Sequence, residues 1–173
     1  EETPLETVLV PEVEEEQKPS VVPPLPQGKA RVTKKPFGIF IDRETSPVQP
    51  ERFGGYHTGV DFETLDDEAK RDVPVQALCS GEVLQKRRAS GYGGVLVTSC
   101  VLEGEDVTVV YGHLALESIT RNVGDRVALG EELGLLGQGE SDETDGERKH
   151  LHLGIHRGTV PNIAGYVARK SDL

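Results

Sequence analysis

Glycine punctuates this chain so often that no long helix has room to form. The 173 residues include 20 glycines, and the apolar runs between them are short and rich in valine. Gly81 precedes Glu82–Arg87, and Gly91-Tyr92-Gly93-Gly94 precedes Val95-Leu96-Val97-Thr98-Ser99-Cys100. β-Branched side chains lose rotamer freedom in a helix and pack well on a pleated surface, while glycine breaks helices and permits tight turns. Val73–Ala77 and Val107–Tyr111 read as strands, and Pro36–Ile41 as a short strand entered through a turn. From Val123 to Gly134 the regular glycines, with Val and Leu between them, suggest short strands paired through tight turns. Helix is confined to Glu63–Arg71 and Leu116–Ile119. The expected fold is therefore mostly β, an antiparallel, barrel-like sheet folded around one core.

Residues 1–28 differ in kind. They hold six of the eleven prolines, and the first twenty residues carry seven glutamates against Lys18. Such a segment buries too little apolar surface to offset its ordering entropy, so it reads as a flexible acidic linker that contributes little to stability. Val21-Val22-Pro23-Pro24-Leu25-Pro26 should favour polyproline II. Residues 29–173 then form one domain. The net charge is −11, of which the first twenty residues supply −6, leaving a mildly acidic body. That balance excludes nucleic acid as a partner, since a binder needs a basic face to displace counterions. It also gives no attraction to anionic membranes or wall polymers. No apolar run is long enough to span a bilayer, and no signal peptide is visible. The sequence contains no methionine, so the chain reads as a processed or truncated product.

Four of the five histidines fall in stretches that look chemical. They are Gly55-Tyr56-His57-Thr58-Gly59-Val60-Asp61, Tyr111-Gly112-His113-Leu114, and His150-Leu151-His152 within a strand-like alternation that runs on to His156. Side chains two apart on a strand share a face, so His150 and His152 project together. One carboxylate and two imidazoles would leave a tetrahedral zinc one open position, although such donors do not exclude manganese or iron. His156 shares their parity but lies roughly 13 Å further along the strand, too far to join the same metal. Alone, each piece is weak: a single His-x-His is ordinarily just strand, and a lone His113 a hydrogen-bonded core histidine.

Together and in this order, the motifs resemble the lysostaphin-type (LytM-like) zinc endopeptidases of peptidoglycan. The resemblance runs from about Phe37 to His156. It includes His57-x-x-x-Asp61, Pro74-Val75-x-Ala77-x-x-x-Gly81, Gly91-Tyr92-Gly93, Tyr111-x-His113-Leu114, Val123-Gly124-x-x-Val127-x-x-Gly130 and His150-x-His152. It implies a metal held by His57, Asp61 and His152, with His113 and His150 as catalytic histidines. It further implies one zinc per chain, peptidoglycan peptides as substrate, and an extracytoplasmic location (secreted, periplasmic or envelope-associated). In such a site the zinc acidifies its water and polarises the scissile carbonyl, while the free imidazoles move protons.

Relatives usually have a short Gly- and Thr-rich turn before the His-x-His, whereas here an acidic stretch runs from Glu140 to Lys149. It either reshapes the cleft or is a solvated insertion. Two other readings remain. A zinc-free regulatory or wall-binding module of the same type would typically have lost ligands, yet all five positions are filled. A lipoyl-type carrier would need a lysine at a hairpin tip and leaves the histidines unexplained. Cys79 and Cys100 are the only cysteines. A hairpin about the Gly91 turn would put Glu82 roughly opposite Cys100 and Cys79 within disulfide reach, which an oxidising wall location permits. The alternative is a pair of small buried thiols.

Overall fold

The computed structural model describes residues 20–173. Eleven strands are distinguished: β1 (Phe40–Ile41), β2 (Gly55–His57), β3 (Gly59–Glu63), β4 (Pro74–Gln76), β5 (Gly81–Ala89), β6 (Gly93–Leu102), β7 (Glu105–Gly112), β8 (Arg126–Val127), β9 (Glu132–Leu135), β10 (His150–Arg157) and β11 (Tyr166–Val167). A six-stranded sheet runs in the order β3-β10-β7-β6-β5-β8, beside a three-stranded sheet β1-β2-β11 and a ribbon of β4 with β9. Every pairing is antiparallel. The mostly β, antiparallel fold is as the glycine punctuation predicts, and the helical segments among the described residues are 3-10 turns.

The two faces of the large sheet do different work. Leu96 on β6, Val109 and Tyr111 on β7, and Leu151 and Leu153 on β10 turn to one face. There they join Phe62, Val75, Ile119 and Leu133 in the main core. The alternate residues turn to the other face, where Tyr92, Val95, Val97 and Val110 make a smaller cluster. Because side chains alternate along a strand, His150 and His152 share that second face with Val110, and Asp61 and Glu63 lie beside them on β3. Leu151 and Leu153 thus anchor β10 in the core, and His150 and His152 are turned to the other face.

Four local expectations are corrected. Glu63–Arg71 is not a helix: Glu63 closes β3, pairing with His150, and only Asp66–Glu68 forms a 3-10 turn. The sheet's hydrogen bonds outweigh a modest helical propensity. Leu116–Ile119 likewise shortens to a 3-10 turn at Leu116–Ser118. The strands of the Val123–Gly134 repeat do not pair with each other. β8 pairs with β5 and β9 with β4, since glycine spacing marks turns without specifying partners. The hairpin register holds near the turn, with Lys86 opposite Leu96, and slips by one across a bulge between Val83 and Gln85. Cys79 and Cys100 are joined as a disulfide.

Of the expected linker only the last residues are described. Residues 1–19 lie outside the described residues, but 20–28 pack against the body. Val22 N–H donates to the Leu78 carbonyl at 2.9 Å, and Gln76 N–H donates to the Pro24 carbonyl at 2.9 Å. An extended segment has free backbone groups, and here they satisfy the neighbourhood of β4. Leu25 is 0% exposed within the main core. Leu25→Ala should therefore lower stability by at least about 2 kcal/mol in chemical denaturation, the usual cost of a buried leucine truncation. A change within a few tenths of a kcal/mol would show that the segment only rests on the surface.

Candidate metal centre

β2 and β3 follow one another with only Thr58 between them. The Thr58 backbone N–H donates to the Gly165 carbonyl at 3.0 Å, and its hydroxyl to the Ala164 carbonyl at 2.5 Å. This anchored junction puts His57 at the end of one sheet and Asp61 in the next. β10 pairs with β3 so that His152 stands opposite Asp61. His57, Asp61 and His152 are exposed by 0%, 2% and 4% respectively. Gly59 makes the closeness possible, because a Cβ there would meet the His152 ring at 2.8 Å.

The three side chains present one donor atom each to a common point. His57 Nε2 lies 3.0 Å from His152 Nδ1 and 3.3 Å from Asp61 Oδ1, and His152 Nδ1 lies 3.2 Å from the same oxygen. Ligands about 2.0–2.1 Å from a tetrahedral zinc are separated by about 3.3–3.4 Å, so this triangle has the size of one tetrahedral face. The tautomers fit as well. The Pro36 carbonyl, 3.3 Å from His57 Nδ1, can only accept, which puts the proton on Nδ1 and the lone pair of Nε2 into the triangle. The His57 lone pair and the Asp61 carboxylate oxygen, 3.3 Å apart, repel one another without a cation or proton between them. The donor set therefore fits a divalent metal.

Electrostatics favour the ligand forms. Burial alone would raise the Asp61 carboxyl. The neighbouring imidazoles, His150 first and then His152 and His57, outweigh it and hold Asp61 well below the usual carboxylate range. Burial pushes the His152 imidazole down to about 4 against the pull of Asp61. A neutral imidazole and an ionised carboxylate are what a metal requires.

His150 and His113 stand next to this triangle. His150 Nδ1 donates to the Arg148 carbonyl at 2.8 Å, and its Nε2 lies 3.3 Å from Asp61 Oδ2. The His113 ring centroid is 4.2 Å from that of His150. His113 follows β7 with a left-handed backbone (φ 64°), a conformation that costs a non-glycine residue roughly 1–3 kcal/mol and that gathers at functional sites. Its Nδ1 is buried without a hydrogen-bond partner. Burial, and then the neighbouring His150 charge, lowers its pKa well below the ordinary histidine value. All five residues singled out in the sequence are thus brought together. His156 stays outside the group, opposite Thr108 on β7.

Asp61, His113, His150 and His152 line a cleft of about 400 Å³, with Phe53, Tyr92, Arg148 and Tyr166 in its walls. None of the last four was singled out from the sequence. Tyr56 and Tyr111, which neighbour His57 and His113 in sequence, lie outside these walls. Tyr56 packs edge-on against Phe40, while Tyr111 is in the main core with its hydroxyl accepting from Leu78 N–H at 2.9 Å. The acidic stretch is pinned to the rim. Asp145 Oδ2 accepts from Gly91 N–H at 2.7 Å, Arg52 Nε donates to Glu147 at 2.9 Å, and Thr144 is 0% exposed. Arg148 was among those missed. It lies two residues before His150, just ahead of β10, whose His150 and His152 face Glu63 and Asp61.

Similarity to known proteins agrees with this geometry. The profile of Peptidase family M23 matches residues 55–162, which contain all five site residues. Endolysin 2638A of Staphylococcus phage 2638A is 37% identical over 139 residues, covering 70% of this chain and 26% of that protein. An uncharacterized protein of Mycobacterium bovis is 34% identical over 119 residues, covering 66% of this chain and 26% of its own length. The chain thus spans about a quarter of the length of the curated relatives it matches. The solved structure of LytU superposes with a TM-score of 0.53 at 25% identity, covering 87% of this chain and 82% of that one. With more than half of its length matched, including the whole of the histidine and aspartate constellation, the chain belongs to peptidase family M23, of the LytM type.

Proposed function

We propose that this chain is a zinc-dependent endopeptidase that hydrolyses peptide bonds in the cross-links or stem peptides of bacterial peptidoglycan, acting outside the cytoplasm. His57, Asp61 and His152 hold the metal, and His113 and His150 handle protons. The observation that carries the reading is the triangle of donor atoms, 3.0 to 3.3 Å on a side, with two further imidazoles against it on the cleft side. Similarity to a phage endolysin supports the substrate class. No helix of the described residues is long and apolar enough to cross a membrane.

Zinc, when bound, supplies a Lewis acid that polarises the scissile carbonyl and acidifies water. The chain's own residues supply the rest. With its Nδ1 proton committed to the Arg148 carbonyl, His150 keeps Nε2 as a fixed acceptor for the proton of an attacking water. His113 keeps a polar atom unpartnered by protein, which suits it to hydrogen-bond the tetrahedral oxygen or the leaving amine. Tyr92 and Tyr166 are both raised by burial, so they remain protonated donors in the cleft walls.

Elemental analysis of the purified chain tests the metal assignment. The parent should carry one zinc, and Asp61→Ala should lose both the zinc and the ability to solubilise isolated peptidoglycan while keeping the β circular dichroism spectrum. Two imidazoles alone make an incomplete site. Undiminished zinc in Asp61→Ala would reject this ligand set, and a zinc-loaded parent that binds the wall without releasing peptides would be a binding module instead.

A further inference from the structure

Arg148 and Glu63 form a buried pair that the proton chemistry leaves without a task. Arg148 Nε lies 3.0 and 3.2 Å from the two Glu63 oxygens, and its Nη2 donates to Asp61 Oδ2 at 2.9 Å. Their side chains are 17% and 11% exposed, against 3% for Asp61. Arg148 lies in the loop just before β10, where His150 stands opposite Glu63 and His152 opposite Asp61, and its guanidinium reaches both carboxylates. Glu63 is itself fixed, because its carbonyl accepts from the buried Arg31 Nη1 at 3.1 Å. Burial would raise the Glu63 carboxyl, but the hydrogen bonds and charge of Arg148 outweigh it and keep Glu63 ionised.

The two oxygens of Asp61 are thereby given different partners. Oδ1 faces His57 Nε2 and His152 Nδ1, whereas Oδ2 faces Arg148 Nη2 and His150 Nε2. A carboxylate free to rotate can offer a metal either one oxygen or two, and the second oxygen would take up a coordination position otherwise left for water or substrate. We propose that Arg148, clamped by Glu63, is a positioning residue for Asp61: it occupies the oxygen turned away from the donor triangle and holds Asp61 to one ligand atom. This rests on the metal reading of the site given above. It assigns a role to a residue in the stretch that replaces the family's short Gly- and Thr-rich turn, so the departure from the family pattern brings a cation to the metal ligand.

A purely structural role would tie the 138–149 loop to β3 without touching the metal, so the test reads the metal itself. Zinc affinity is measured by competition with a chelating dye, and coordination by the visible absorption of the cobalt-loaded protein. Both are applied to the parent, Arg148→Gln, Arg148→Lys, Glu63→Gln and the Glu63→Gln/Arg148→Gln double variant. Residues that orient metal ligands typically change affinity by about 10- to 100-fold, and that loss is expected for Arg148→Gln. Its cobalt absorption should weaken as Asp61 turns to offer both oxygens. Glu63→Gln should move both readouts the same way by less, and the double variant should be no worse than Arg148→Gln. Arg148→Lys, which keeps a cation near Asp61, should recover part of the affinity. Parental affinity and an unchanged cobalt spectrum in Arg148→Gln would overturn the proposal. If that variant fails to fold by circular dichroism, the same result in Glu63→Gln would overturn it. A parent that binds no zinc would instead sink the metal reading, and this proposal with it.

Discussion

His113→Ala is expected to retain its zinc and to lose about a hundredfold to ten-thousandfold in peptide-bond cleavage, or roughly 3–5 kcal/mol of transition-state stabilisation. His113 sits outside the donor triangle, at the end of β7, with its ring 4.2 Å from His150 and its Nδ1 buried and unpaired. The strained backbone at φ 64° places the ring there at a cost that packing alone gives no reason to bear. His150→Ala should lose turnover comparably and hold zinc somewhat less well, because His150 Nε2 contacts Asp61 Oδ2. His156→Ala is the control, on the same strand but away from the site, and should change neither property. Zinc content and cleavage rate measured in parallel on the three variants decide the matter. Parental turnover in His113→Ala would refute the proton-transfer assignment. Loss of its zinc would make His113 a ligand.

Glu68→Ala should destabilise the protein by about 3–5 kcal/mol, because it strands a buried cation. Arg31 is 2% exposed and Glu68 6% exposed, and the guanidinium binds the carboxylate through two hydrogen bonds of 2.6 and 2.8 Å. Arg31 Nε also donates to the Pro26 carbonyl at 2.7 Å, so the pair ties residues 20–31 to the body. Replacing both partners, as Arg31→Met with Glu68→Leu, should cost far less, since no unpaired charge remains. The pair also makes stability depend on pH. The hydrogen bonds from Arg31 lower the Glu68 pKa from 4.5 to about 2. The folded state thus binds its proton less readily than the unfolded chain does. The contribution is therefore fully present above pH 4.5 and is lost progressively as pH falls toward 2. Denaturation midpoints across that range should fall more steeply in the parent than in Glu68→Ala. Parallel slopes, or a loss under 1 kcal/mol at pH 7, would show that water reaches Arg31.

The candidate metal constellation was legible because strand parity and motif spacing are local properties. His150 and His152 share a face whatever the rest of the fold does, and the four-residue spacing keeps His57 and Asp61 close across the Thr58 junction. What escaped was set by partners distant in sequence. β8 and β9 each pair with another strand rather than with each other, and no glycine spacing specifies that choice. Glu63 scanned as the start of a helix until its pairing with His150 made it the end of a strand. Arg148 was hidden by its loop-like, charged neighbourhood, because it lies just before β10 begins and strand parity does not reach it. Leu25 shows the limit of reading composition as an average. One buried side chain between prolines anchors a stretch whose mean character is that of a solvated linker.

The most direct test of the whole account is digestion of defined muropeptides, with the fragments identified by mass spectrometry. The zinc-loaded chain should produce pairs of fragments that differ from the substrate by one added water across a peptide bond. Chelation should stop the reaction, and restored zinc should start it again. Unchanged muropeptides in the presence of verified, stoichiometric zinc would contradict the account, as would cleavage that continues at full rate after the metal is removed.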